Sequence, residues 1–256
     1  MANPIITPDC LYVCGDSFTY GSELIDPISS VQDHFDPVHE KYRLAHYWPR
    51  LVADQLGLEL FDGSAPGASN DRILRVSMYD ISQLVMEGRR PLVVVAWSQL
   101  QRFELPEGPR GEHWRSFVGP KEPSIPRVAI DIWKAWNSDR SDVVKWLQQI
   151  ISLDVFLKAN AVDYFSTTVF NQSYRLYEQY CFSGDNFFKP YLTQIRQHVN
   201  LSRHALNFAM DTVLGHYDDV DYGPGGHPLA RGHELLAEQI LTQLGTRFQI
   251  QRQEGQ

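Results

Sequence analysis

Apolar positions alternate between two rhythms along the chain. Short unbroken apolar runs stop at turn residues, and longer segments between them place apolar residues at helical spacing. Leu11 to Cys14 is a run of the first kind, halted by Gly15-Asp16-Ser17, which predicts a buried strand and a sharp turn. His46 to Leu56 carries Trp48, Leu51, Val52 and Leu56 on one stripe and ends at Gly57, which predicts a helix with a glycine cap. Leu58 to Phe61 predicts a second strand, closed by Asp62-Gly63. Ser69 or Asn70 can cap the next helix, with Leu74, Met78, Ile81 and Val85 inward and Gly88-Arg89-Arg90 at its end. Leu92 to Trp97 is an unbroken apolar, β-branched run, the mark of a central parallel strand buried on both faces. A helix over Ser141 to Asn160, a strand over Val162 to Thr167, a largely helical Lys189 to Leu214 and a final amphipathic helix over Leu229 to Leu244 complete the pattern.

Three stretches break the rhythm. Ser22 to Lys41 is rich in Asp, Ser, Pro and His and predicts a long surface loop. Phe103 to Arg140 is dense in Pro, Gly and charge and holds Trp114, Trp133 and Trp136; it is expected to be an insertion (103–140) within a single domain spanning 1–256. Asp218 to His227 is an acidic, glycine-rich loop. Strands alternating with helices predict an α/β fold, a parallel sheet with helices on both faces. Sites in such folds lie beyond the carboxyl ends of the strands. Ser17, Gly67 and Ser98 all fall there.

Composition narrows the partners. The formal net charge of -8 argues against nucleic acid and anionic membrane surfaces, which call for a basic footprint. No run reaches the roughly 18 apolar residues of a membrane span. Met1 to Asp9 lacks the basic and apolar parts of a signal peptide, so a cytoplasmic protein is expected. The three cysteines, Cys10, Cys14 and Cys181, have no framework spacing and are expected as reduced thiols, with Cys14 packed in the core. His34, Asp36, His39 and Glu40 match no standard metal spacing, so no metal is expected.

Gly15-Asp16-Ser17 can present a hydroxyl from a strand-to-helix turn, but a free serine needs a neighbouring base to act as a nucleophile. In context the match is more specific. Val13-Cys14-Gly15-Asp16-Ser17-Phe18-Thr19-Tyr20-Gly21 resembles the first block of the SGNH/GDSL hydrolase superfamily. Asp62 to Asn70, with Gly67, resembles the second block, and Gly226-His227-Pro228 with Gly232-His233 resembles the last. The resemblance implies a three-layer α/β/α sandwich around a five-stranded parallel sheet of flavodoxin-like kind. It implies a cofactor-free serine esterase in which Ser17 attacks a small acyl ester, His227 takes the proton, and the backbone N–H groups of Ser17 and Gly67 bind the oxyanion. By family analogy the substrate is an O-acylated glycan.

Two departures from the family pattern matter. The third block supplies an Asn as a further oxyanion donor, but here the region reads Val95-Ala96-Trp97-Ser98-Gln99-Leu100-Gln101-Arg102-Phe103-Glu104. Ser98, Gln99 or Asn70 are the substitutes. This Trp-Ser…Arg-x-Glu run is similar to that of phage and bacterial relatives, which leaves room for a virion-associated or glycan-binding protein without activity. Asp16 and Arg102 are candidate substrate-binding residues, the alternative for Arg102 being a structural pair with Glu104. The position three before His227 is Pro224 instead of the usual Asp. Asp221 is the nearest upstream carboxylate and the candidate third member of a triad; otherwise a backbone carbonyl holds the ring and leaves a dyad. His233 is expected to pack or cap.

Overall fold

The computed structural model describes residues 7–31, 33, 36–107, 113–117, 127, 130–131, 138–181, 189–191, 193 and 204–248. The first strand, β1 (Cys10–Cys14), lies between β2 (Glu59–Asp62) and β3 (Pro91–Trp97), and β3 pairs in turn with β6 (Asp163–Thr168); all three pairings are parallel. β7 (His204–Ala209) joins the far edge of β6, also parallel, across a register shift between Thr167 and Thr168. The order is therefore β2-β1-β3-β6-β7. Parallel neighbours need crossover connections, and helices supply them.

Both faces of the sheet are covered. Successive side chains of a strand point to opposite faces. Val93, Val95 and Trp97 accordingly pack with α4 (Asn70–Met86), through Ile73, Ile81 and Leu84, and with α5 (Asp139–Ala159), through Trp146, Ile150 and Leu153. Leu92, Val94 and Ala96 face the other way, against Trp48 and Val52 of α3 (Trp48–Leu56), Leu214 of α7 (Met210–Leu214), and Leu236 and Ile240 of α8 (Ala230–Phe248). The whole of β3 is buried, as its unbroken apolar sequence predicts. α4 starts where Ser69 accepts a hydrogen bond from the Arg72 N–H, and α5 starts with a capping box between Ser138 and Ser141. Cys14 is buried and its thiol contacts the carbonyls of Gly63 and Ile73; burial pushes its pKa up to about 11, which leaves it unreactive.

Three sequence expectations change. Within Lys189 to Leu214 the described positions 189–191 and 193 and the segment Met210–Leu214 are helical as expected, but β7 (His204–Ala209) is a strand that the helical reading did not foresee. A short apolar run does not distinguish strand from helix; here the open edge of β6 supplies partners for its backbone. Ser22 to Lys41 is not simply a surface loop. Glu23, Leu24 and His39 are buried, and a turn of 3₁₀ helix (Pro37–His39) leads into α2 (Glu40–His46). Both ring nitrogens of His39 are used internally: Nδ1 accepts from Asp26 N–H, and Nε2 donates to the Val31 carbonyl. Among the described residues no group of His, Cys, Asp and Glu is arranged to hold a metal. Within 103–140, β4 (Phe103–Glu107) and β5 (His113–Phe117) form an antiparallel hairpin apart from the main sheet. Trp133 and Trp136 lie outside the described residues, as does the side chain of Trp114.

His233 is wholly buried beside α3, where its Nδ1 accepts from the Trp48 N–H at 3.2 Å. Burial, with the nearby His227 and Arg43, lowers its pKa to about 3 from 6.5. Between those values the unfolded chain binds a proton that the folded chain refuses, so stability falls as pH drops through 6.5. The expected loss is about 2 kcal/mol between pH 7 and pH 5 from this residue alone. Urea denaturation at the two pH values checks this, with His233→Asn, which retains an acceptor for the Trp48 N–H, showing the shallower dependence.

Candidate active site

The chain turns sharply after β1. Asp16 takes the N-cap position of a single-turn helix, α1 (Ser17–Tyr20), its Oδ1 accepting from the Phe18 N–H at 3.1 Å. Ser17 therefore stands at the carboxyl edge of the sheet and is 5 % exposed. The Ser17 carbonyl accepts from the N–H groups of both Gly21 and Ser22, which ends the helix and turns the chain back. The next residue, Glu23, has φ 69°, a left-handed conformation that costs a non-glycine residue roughly 1–3 kcal/mol.

That conformation accompanies a contact across the whole length of the chain. The buried Glu23 carboxylate accepts from the Gly225 N–H at 2.6 Å, the His227 N–H at 3.2 Å and His227 Nδ1 at 2.8 Å. Burial pushes the Glu23 carboxyl up, but the hydrogen bonds from the His227 ring and the two amides outweigh it and hold its pKa below the ordinary glutamate value. An ionised carboxylate only accepts, so Nδ1 carries the ring proton and Nε2 is left as the basic nitrogen. The ring packs edge-on against Phe18, the residue after the serine, with centroids 5.7 Å apart, and Phe18 packs edge-on against Phe170, which lies between β6 and α6 (Asn171–Cys181). Among the described residues the Ser17 hydroxyl makes no hydrogen bond, to the imidazole or elsewhere.

The carboxylate at the imidazole is thus Glu23, not Asp221. Asp221 is exposed; its backbone carbonyl accepts from Leu229 N–H, which helps to close the loop before α8. Asp219 is paired instead with Arg231.

The loop after β2 is tied to the Ser17 turn by hydrogen bonds from Gly63 N–H to the Val13 carbonyl and from Ala65 N–H to the Gly15 carbonyl. Gly67 lies on this loop with φ 69°, a conformation glycine adopts without strain. Among the described residues neither the Ser17 nor the Gly67 N–H donates to a protein acceptor.

The side chains expected to meet the substrate or the oxyanion are engaged with one another. Asp16 is wholly buried. Its Oδ2 accepts from Ser98 Oγ at 2.6 Å and from Arg102 Nη1 at 3.0 Å, and the same Nη1 lies 3.4 Å from the Ala68 carbonyl. Asn70 spends its side-chain carbonyl on the Ser98 N–H (2.7 Å) and an Nδ2–H on the Ser98 carbonyl (3.3 Å). Arg102 does not pair with Glu104, which instead receives a two-pronged contact from Arg75 at 2.9 and 3.1 Å. Asp16 therefore has no surface to offer a substrate, and Ser98 and Asn70 brace the turn after β3.

The loop Gly223-Pro224-Gly225-Gly226 wraps the Glu23 carboxylate closely. A Cβ at Gly223 would sit 2.6 Å from Glu23 Oε2 and 2.8 Å from its Cβ; one at Gly225 would sit 2.9 Å from Oε1. Gly223→Ala is expected to destabilise the fold by about 1–3 kcal/mol through overpacking. It should also shift the His227 ring resonances, which a denaturation curve and an NMR titration check together.

No curated protein matches the chain. Among solved structures it is similar to a carbohydrate esterase whose active site is described as displaying divergent catalytic and non-catalytic binding functions (13 % identity, TM-score 0.53, covering 93 % of this chain and 69 % of that one). It is similar also to a family two carbohydrate esterase from Clostridium thermocellum in complex with cellohexaose (14 %, TM-score 0.51, covering 98 % and 68 %). A third is an acetyl xylan esterase from the rumen bacterium Butyrivibrio proteoclasticus (12 %, TM-score 0.50, covering 98 % and 67 %). At these identities the likeness is one of fold. A family model matches residues 29–256, most of the chain, and the chain accordingly belongs to that family, the family of unknown function DUF6071.

Proposed function

We propose that the chain is a serine esterase of the SGNH kind that hydrolyses small acyl esters, with O-acetyl groups on carbohydrate as the substrate class. The observation that carries this reading is the pairing of the buried Glu23 carboxylate with His227 Nδ1, held by a left-handed backbone at Glu23 and packed against Phe18 beside Ser17. Acyl transfer requires a serine hydroxyl and a histidine oriented by a buried carboxylate, and the Glu23-bound ring of His227 packs on Phe18, the residue after Ser17, whose own hydroxyl is unengaged among the described residues. The fold shared with carbohydrate esterases supports the substrate class by analogy.

In this mechanism His227 Nε2 takes the Ser17 proton as Oγ attacks the acyl carbonyl carbon. The negative charge moves onto the carbonyl oxygen, where the N–H groups of Ser17 and Gly67 receive it; each such donor contributes roughly 3 kcal/mol in a preorganised site. The carbon–oxygen bond to the alcohol then breaks. The alcohol leaves with the proton from Nε2, and the acyl group remains on Oγ. Water attacks this ester, gives a proton to Nε2, and the serine recovers it as the carboxylic acid departs. Glu23 stabilises the imidazolium at both stages without itself being protonated. The reaction needs no cofactor.

Hydrolysis of p-nitrophenyl acetate and of an acetylated oligosaccharide tests the assignment. Ser17→Ala and His227→Ala should each abolish turnover, and Glu23→Gln should lower kcat by on the order of 10³-fold or more. Asp221→Asn should leave the rate within about twofold, because an exposed side chain away from the ring has little leverage. Undiminished turnover in the Ser17 and His227 variants would remove the proposed nucleophile and base. A parent that neither turns over nor accepts a fluorophosphonate at Ser17 would make the protein a binding module on an esterase fold.

A further inference from the structure

We infer that Arg102, with Ser98, is a positioning residue that sets the two amides of Ser17 and Gly67 at the spacing an oxyanion needs, acting through Asp16 and the Ala68 carbonyl. This rests on the esterase reading for its catalytic meaning. Three separate segments converge on one buried point: the turn after β1 through Asp16, the loop after β2 through Ala68 and Asn70, and the turn after β3 through Ser98 and Arg102. Asp16 is one residue before Ser17 and caps the helix whose first residue is Ser17. Ala68 is one residue after Gly67. A single guanidinium nitrogen, Arg102 Nη1, touches both the Asp16 carboxylate and the Ala68 carbonyl and so spans the two chain segments that carry the amides.

Stability alone is a poor reason for this arrangement. Asp16 is 0 % exposed and Arg102 only 8 %, and a buried ion pair commonly does no better than an apolar replacement of the same shape. Arg102 Nε is buried and finds no acceptor among the described residues, so the guanidinium is not even fully satisfied. What the pair does supply is a fixed distance. The side chains after β3 that could have offered a further oxyanion donor are turned instead toward this cluster: Ser98 Oγ donates to Asp16, and the Asn70 amide closes on the Ser98 backbone. The cluster therefore holds the hole from behind and leaves the oxyanion to backbone amides.

The test uses the full chain with Arg102→Met, Arg102→Lys and Ser98→Ala, reading melting temperature, kcat and KM for p-nitrophenyl acetate, and the backbone amide NMR resonances of Ser17 and Gly67. Displacing a catalytic donor by an ångström costs on the order of 10²-fold in rate. Arg102→Met should lose about that much in kcat, with KM within about threefold. Arg102→Lys, which keeps the charge but not the fork, should recover part of the loss. Ser98→Ala should lose less than Arg102→Met and stays informative should the Met variant not fold. The Ser17 and Gly67 amide resonances should move in both Arg102 variants while those across the sheet stay in place. A rise in KM at constant kcat would make Arg102 a substrate contact, and a lowered melting temperature with unchanged kcat would make the cluster structural only; either overturns the inference. Unmoved resonances at both amides overturn it as well, whatever the activity. Moved resonances in the variants of a parent without esterase turnover would retain the positioning role and discard the esterase reading instead.

Discussion

Everything at the carboxyl edge of this sheet depends on one buried carboxylate. Glu23 is removed from water, which by itself favours its neutral form, and three N–H donors from a loop two hundred residues away reverse that preference. A buried charge with fewer partners would titrate toward neutrality or destabilise the fold. The demand for donors explains the rest of the local structure: the left-handed backbone that aims the side chain inward, and the glycines at 223 and 225, whose missing side chains let the loop approach.

The same constraint defines the chemistry of the imidazole. Because Glu23 can only accept, the ring proton is confined to Nδ1 and the lone pair to Nε2. Phe18 limits how the ring can rotate, and Phe18 is itself placed by the Asp16 cap that begins α1. The Ser17 turn and the His227 loop are thus coupled through packing and through hydrogen bonds. Behind them, the Asp16–Arg102–Ser98 cluster joins the turns after β1 and β3 to the loop after β2. The edge of a parallel sheet is where three such connections can meet, since parallel strands deliver all their carboxyl ends to one side.

Much of the fold was legible in the residues. The β3 run read as an interior strand because it is β-branched as well as apolar, and the stripe of α3, the capped start of α4 and the final helix followed from helical spacing. β7 was not legible, because its few residues read equally well as helix and only the open edge of β6 selects the strand. At the site, the Ser17 turn and the glycine-rich loop before His227 could be found from turn residues. The partner of the histidine could not. Asp221 was the near carboxylate along the chain, but nearness in sequence carries little weight when a loop is folded over a distant turn. The signal that pointed elsewhere was the crowding of glycine around 223–226, which marks the close approach of another side chain without saying whose.

What the amino-acid sequence determined by itself was local: which runs are buried, where the chain turns, and which residue types stand at those turns. Periodicity and turn chemistry are short-range properties, and a reader of the chain can recover them. What only the tertiary structure decided was pairing. It brought Glu23, on a stretch that reads as surface loop, to His227, and it turned Asp16, Ser98 and Arg102 toward one another instead of toward solvent. The physical reason is that buried polar groups must find partners. Which partner each one finds depends on where the strands and loops deliver the others in space.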